Sequence, residues 1–137
     1  MDLKYKGDNM KDLLIIDSFL DDREFRNYVH SILLKNSFTN VAIEDERLSD
    51  RYKINNNDIL AIKNGTIYTV QTYLNKEISK KEINETLNDM KKERVENGLI
   101  ISNKEVARSI KEAAKKKCIE VWDRTTLLNK IKRAASV

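Results

Sequence analysis

The strongest constraint on the fold is Asn64-Gly65, set between two runs rich in β-branched and aromatic residues, Ile59-Leu-Ala-Ile62 and Thr66-Ile-Tyr-Thr-Val70. Asparagine and glycine accept positive φ most readily, and a two-residue turn of that kind matches the twist of an antiparallel hairpin. With Asn64 and Gly65 as the loop, the pairing follows by counting. Lys63 faces Thr66, Ile62 faces Ile67, Leu60 faces Thr69 and Asp58 faces Gln71. Opposed residues share a face of the sheet, and alternation puts Tyr73 on that face one pleat beyond Gln71. The other face carries Ile59, Ala61, Tyr68, Val70 and Thr72. Both faces are largely apolar, so the hairpin is predicted to lie centrally with helices over it.

The flanking sequence supplies those helices. Asp21 or Asp22 can cap a helix whose stripe is Phe25, Val29, Ile32 and Leu33, and Phe38–Ile43 reads as a short strand. After the hairpin, Ser79-Lys-Lys-Glu82 is a capping box continued by Ile83, Leu87 and Met90. Gly98 suits the C-terminus of that helix, with Leu99–Ile101 as the next strand. Ser102-Asn-Lys-Glu105 reads as a second capping box, before Val106, Ile110, Ala113 and Ala114. Cys118–Trp122 is a further strand, and Asp123 can cap a last helix bearing Leu127, Leu128 and Ile131. The predicted order is αβββαβαβα, and strand–helix–strand units at this spacing favour parallel crossovers. The fold class is α/β, a mixed sheet with helices on both faces.

At 137 residues, 40% apolar and 35% charged, the chain suits one domain spanning 1–137, whose first eleven residues read as a flexible extension. No run approaches the roughly 18 apolar residues of a membrane span, and residues 1–8 lack the apolar centre of a signal peptide. A cytoplasmic protein is the expectation. The single cysteine, Cys118, cannot form an internal disulfide or a thiolate metal cage, and a buried or half-buried structural thiol is expected there. Neither a Walker A loop nor GxGxxG is present. Charge is uneven: residues 1–103 hold 16 Lys/Arg and 18 Asp/Glu, residues 104–137 hold 10 and 4. Lys115, Lys116 and Lys117 are therefore candidates to meet nucleic acid, although basic residues ending a helix also suit its dipole.

Asp58 and Gln71 are the pair that could carry chemistry. Two oxygen ligands on adjacent strands can hold one hard cation such as Mg²⁺, which neutralises charge at a phosphate. The plainer alternative is that Asp58 caps the turn after Asn55-Asn-Asn57 and Gln71 is a hydrogen-bonded strand residue. Glu24 and Glu44 are further candidate ligands, each more in keeping with a solvent-facing position. His30 lies off its helix's apolar stripe, and Trp122 reads as core.

Taken together, Asp58-Ile-Leu-Ala61, Gly65 and Tyr68-Thr-Val-Gln71 resemble the catalytic hairpin of Mrr-like type IV restriction endonucleases, of the PD-(D/E)xK nuclease superfamily. Glu24-Phe25 with Val29 and Leu33-Leu34 is similar to that family's first helix, and Phe38-Thr-Asn-Val41 to the strand after it. Gly98–Asn103, the helix with Ala107 and Ala114, and Ile119–Asp123 before Leu127-Leu128 are similar to its C-terminal half. The resemblance covers roughly residues 20–133. It implies a restriction-endonuclease-like αβββαβ core, here extended by α-β-α, with DNA as partner and Mg²⁺ (or Mn²⁺) as cofactor. By the same resemblance Asp58 is the metal-binding aspartate, Gln71 opens the Gln-x-Lys motif, and the Thr72 carbonyl is a third ligand. The motif's lysine is Tyr73 here, a phenol that is neutral at pH 7. Lys76, three residues on, is the candidate to return a positive charge, ahead of Lys53 and of Lys63 at the far end of the hairpin. Ile54-Asn-Asn-Asn57 replaces the family's glycine-rich approach to the aspartate. Two function classes follow: a Mg²⁺-dependent deoxyribonuclease, or a nuclease-fold module without catalysis that binds DNA or a protein, or self-associates.

Overall fold

A computed structural model describes residues 15–43 and 59–135 of the protein. Asp58, Glu44, Lys53, Ile54–Asn57 and the N-terminal extension lie outside those residues. Among the described residues the order is α1 (Asp22–Lys35), β1 (Thr39–Ile43), β2 (Ile59–Lys63), β3 (Thr66–Tyr73), α2 (Lys80–Glu93), β4 (Asn97–Ser102), α3 (Arg108–Lys115), β5 (Ile119–Trp122) and α4 (Arg124–Ala135). This is the αβββαβαβα order that the sequence predicts. No helix among them is long and apolar enough to cross a membrane.

The five strands lie side by side in chain order, with β3 in the middle. β1–β2 and β2–β3 are antiparallel, and β3–β4 and β4–β5 are parallel. The hairpin register is the predicted one: Lys63 pairs with Thr66, Ile62 with Ile67 and Leu60 with Thr69, ending at Ile59 and Val70. Asn64 and Gly65 hold φ of 53° and 80°, the double positive φ that the turn requires. Alternation then sorts the side chains into two cores. Phe25, Val29 and Leu33 of α1 and Leu127 and Ile131 of α4 pack on Ala61, Val70, Leu99, Ile101 and Trp122. On the other face Ile83 and Met90 of α2 and Ala114 of α3 pack on Ile100 and Ile119. Each large side chain so buried contributes roughly 1.5–3 kcal/mol.

The helix starts mostly follow the capping chemistry. Asp21 caps α1, its Oδ1 accepting from the Glu24 N–H at 2.8 Å, while the Glu24 carboxylate accepts from the Leu20 N–H. Ser79 and Glu82 form the capping box of α2. Asp123 Oδ1 accepts from the Thr126 N–H and starts α4.

Three expectations are corrected. Ser102 does not cap a helix: parallel pairing with Tyr73 holds it in β4, and α3 begins at Arg108 behind Ala107, with no side-chain cap bond. Glu105 instead accepts from the Thr125 N–H and hydroxyl, supporting α4. Gly98 does not end α2, where Arg94 takes the left-handed conformation (φ 56°). Gly98 lies within β4 under α2, where a Cβ would sit 2.8 Å from Thr86 Cγ2 and 3.0 Å from Met90 Sδ. Cys118 is exposed, in a left-handed turn (φ 62°) one residue ahead of β5, so the expected burial of its thiol is wrong.

Candidate functional site

At the C-terminal end of β3 an open cleft of about 630 Å³ is lined by Gln71, Thr72, Tyr73 and Lys76, by Asp22 and Arg26 of α1, and by Glu85 and Asp89 of α2. Gln71 and Tyr73 share the face that meets α2. Their side chains are joined across it: the Gln71 amide Nε2 donates to the Asp89 carboxylate, and the Tyr73 hydroxyl lies 2.7 Å from Gln71 Oε1 and 3.1 Å from Glu85 Oε2. A phenol has one proton, and both of these neighbours are acceptors. Pointing the O–H at Glu85 leaves both lone pairs of the Gln71 carbonyl oxygen open; pointing it at Gln71 takes one of the two. Burial, then the Glu85, Glu82 and Asp89 carboxylates, push the Tyr73 pKa far above the usual phenol value, so it stays a neutral donor.

Lys76 is brought to the same place by the chain beyond β3. Asn75 takes a left-handed conformation (φ 56°), and its backbone N–H donates to Oδ1 of Asn103 at 2.7 Å. The buried Asn103 amide donates in turn to Asn75 Oδ1 and to the Ile16 carbonyl, which fixes the turn against the end of β4. Lys76 Nζ then stands 5.4 Å from the centre of the Tyr73 ring and 3.3 Å from Glu82 Oε2. The other Glu82 oxygen accepts from the Ser79 N–H and hydroxyl, at 2.7 and 2.8 Å. Burial opposes ionisation of Glu82, but these Ser79 bonds and the Lys76 ammonium outweigh it and hold the carboxyl below its usual range.

The structure thus brings Gln71, Thr72, Tyr73 and Lys76 into one cleft. It sets Lys63 at the far end of the hairpin, leaves His30 partly exposed, and leaves Glu24 exposed in its capping role. Lys115, Lys116 and Lys117 are exposed ahead of β5, away from the cleft. Sequence reasoning missed Arg26, Glu85 and Asp89. The two acids had a signal: Glu82, Glu85 and Asp89, spaced three and four apart, form one stripe along α2. Arg26 had a weaker one, as the i+4 partner of Asp22 in a position otherwise beside the apolar stripe.

A family model described as a restriction endonuclease, Mrr_cat, matches residues 18–131. The chain belongs to this Mrr-like restriction endonuclease family. No individual curated protein matches it. Membership supports a nuclease-like, DNA-related function, and restriction-endonuclease-like domains generally use Mg²⁺. The cleft suits such an ion in part. Gln71, Glu85 and Asp89 offer oxygens, as a hard cation prefers, while Arg26 and Lys76 bring positive charge to the same cleft. Among the described residues no three His, Cys, Asp or Glu side chains gather to hold an ion by themselves. In the cleft the phenol of Tyr73 lies beside Gln71, and the nearby ammonium comes from Lys76.

Proposed function

We propose that the protein is a deoxyribonuclease domain that hydrolyses DNA phosphodiesters with Mg²⁺ or Mn²⁺ at the β3 cleft. Asp58, the Gln71 carbonyl and the Thr72 main-chain carbonyl hold the ion in this reading. Once bound, it supplies Lewis acidity and neutralises charge on the scissile phosphate. Lys76 provides the cation that the motif's third position lacks, releasing Glu82 to meet a phosphate oxygen. The Tyr73 hydroxyl, kept protonated, hydrogen-bonds to Glu85 and leaves both lone pairs of the Gln71 oxygen to the ion. A cytoplasmic location accompanies this reading. The observation that carries it is the Lys76 ammonium over the Tyr73 ring, inside the same cleft as Gln71.

One observation favours a second reading. A neutral phenol, 2.7 Å from Gln71 Oε1, stands where the motif has its lysine, and in this reading the domain binds DNA without cutting it. Supercoiled plasmid incubated with Mg²⁺ or Mn²⁺ decides between them, with Asp58→Ala alongside. Nicking by the wild type that disappears in the variant supports the nuclease. Nicking that survives in Asp58→Ala rejects the proposed metal site, and intact plasmid with both proteins favours the binding module.

A further inference from the structure

The two ends of the sheet differ in charge. β2 ends where β3, β4 and β5 begin, and α4 runs back toward that same end, which lies opposite the cleft. Here Lys63 Nζ lies 5.2 Å from the centre of the Phe38 ring, and Lys130 Nζ lies 5.0 Å from that of Trp122. The two rings meet edge to face at 6.0 Å, so neighbouring rings of one aromatic cluster carry the two ammonium groups. Arg133 follows one helical turn after Lys130 and is exposed. On the opposite side of this sheet end, Lys115, Lys116 and Lys117 are exposed in the turn before β5.

The helix dipole accounts for a lysine in the last turn of a helix. It does not account for Lys63, which is on a strand, nor for the placing of Lys63 and Lys130 on neighbouring rings. Burial lowers the pKa of Lys130; the Glu120 carboxylate opposes this, and the charges of Lys63 and Arg133 lower it further. Glu120 is itself engaged, accepting from the Trp122 indole N–H at 2.9 Å. Two ammonium groups held on adjoining rings present positive charge in fixed positions, and a polyanion that meets them releases its counterions on binding.

We propose that Lys63, Lys130 and Arg133, with Lys115–Lys117 across the sheet end, form a docking surface for the phosphate backbone of duplex DNA, separate from the cleft. The inference rests on the DNA-directed reading of the cleft only for the choice of polyanion. Thr66, opposite Lys63, and Tyr73 are seven residues apart along β3, about 23 Å at strand rise. That is on the order of seven base pairs of duplex, so the surface grips a different stretch of backbone from the one the cleft meets.

The test is fluorescence anisotropy with the full chain and a labelled duplex of about 30 base pairs, in EDTA, across about 50–250 mM salt. The variant combines Lys63→Gln, Lys130→Gln and Arg133→Gln. A matched control combines Lys80→Gln, Lys81→Gln and Lys104→Gln, exposed lysines at the cleft end. The first variant is expected to bind at least about tenfold more weakly at 100 mM salt, with a salt slope shallower by about 2–3, and the control to stay within about twofold. If thermal melting shows the first variant unfolded, Lys115→Gln with Lys116→Gln and Lys117→Gln takes its place, with the same expectation. Equal weakening in variant and control, wild-type affinity in both, no binding by the wild type, or tighter binding of an RNA duplex of the same length would each overturn the proposal. Because EDTA prevents cleavage, failure of the nuclease reading shows only in the plasmid assay, and failure of the docking surface shows only here.

Discussion

The cleft end and the hairpin end of the sheet are built from the same strands, yet they treat charge in opposite ways. At the cleft end, three of the sequence-predicted groups have defined neighbours: Gln71 with Asp89 and Tyr73, Tyr73 with Glu85, and Lys76 with Glu82. At the hairpin end, Lys63 and Lys130 rest on two aromatic rings that meet edge to face. The difference fits the two tasks proposed for these ends. Short hydrogen bonds fix atoms to within fractions of an ångström, as chemistry requires. Partly exposed cations fix little but project a field that attracts a polyanion.

The largest test of the hairpin end is its aromatic support. Trp122→Ala removes a ring that is 1% exposed and carries Lys130, and a loss of about 3–5 kcal/mol is expected in urea unfolding. A loss below about 1 kcal/mol would mean that the ring is not part of the core. Next comes Gly98→Ala, which places a methyl 2.8 Å from Thr86 Cγ2 and should cost about 1–3 kcal/mol by overpacking α2 against β4. Wild-type stability there would show that α2 shifts freely.

The cleft end responds to pH through Glu82. Its folded pKa lies below the usual glutamate value, so its contribution is present above that value and fades as pH falls through the lowered one. Glu82→Gln should lose about 1–2 kcal/mol at neutral pH, with the difference from wild type shrinking below about pH 4. A difference that grows on acidification would reverse this assignment. Tyr73→Phe is expected to cost about 0.5–1.5 kcal/mol, since Gln71 and Glu85 lose one shared proton. The smallest effect belongs to Lys63→Gln. Its stability should stay within about 0.5 kcal/mol of wild type, on the side of a gain at low salt that vanishes as salt rises. A clear loss would show that Lys63 stabilises the hairpin end.

Much of the frame was legible in the sequence because it rests on local rules. Asn64-Gly65 dictates its own turn and therefore the register of β2 and β3, and Asp21, Ser79 and Asp123 cap the helices they precede. Ser102-Asn-Lys-Glu105 misled because the same letters satisfy a non-local demand, the parallel pairing of Ser102 with Tyr73. Gly98 misled for a similar reason: close approach of α2 needs glycine as much as a helix end does. In the site, Gln71 and Tyr73 were readable from strand alternation, and Lys76 from its short distance along the chain. Glu85, Asp89 and Arg26 join the cleft only when α1 and α2 dock on the sheet, which no local spacing specifies.

Lys76 is proposed to bring into the cleft the positive charge that Tyr73 does not carry. Mg²⁺-dependent nicking of supercoiled plasmid by wild type and Lys76→Ala, with duplex binding measured in EDTA on the same preparations, tests it directly. The expected result is nicking by the wild type, a loss of about 100-fold or more in Lys76→Ala, and binding that changes little. Undiminished nicking by Lys76→Ala, or none by the wild type, would contradict it.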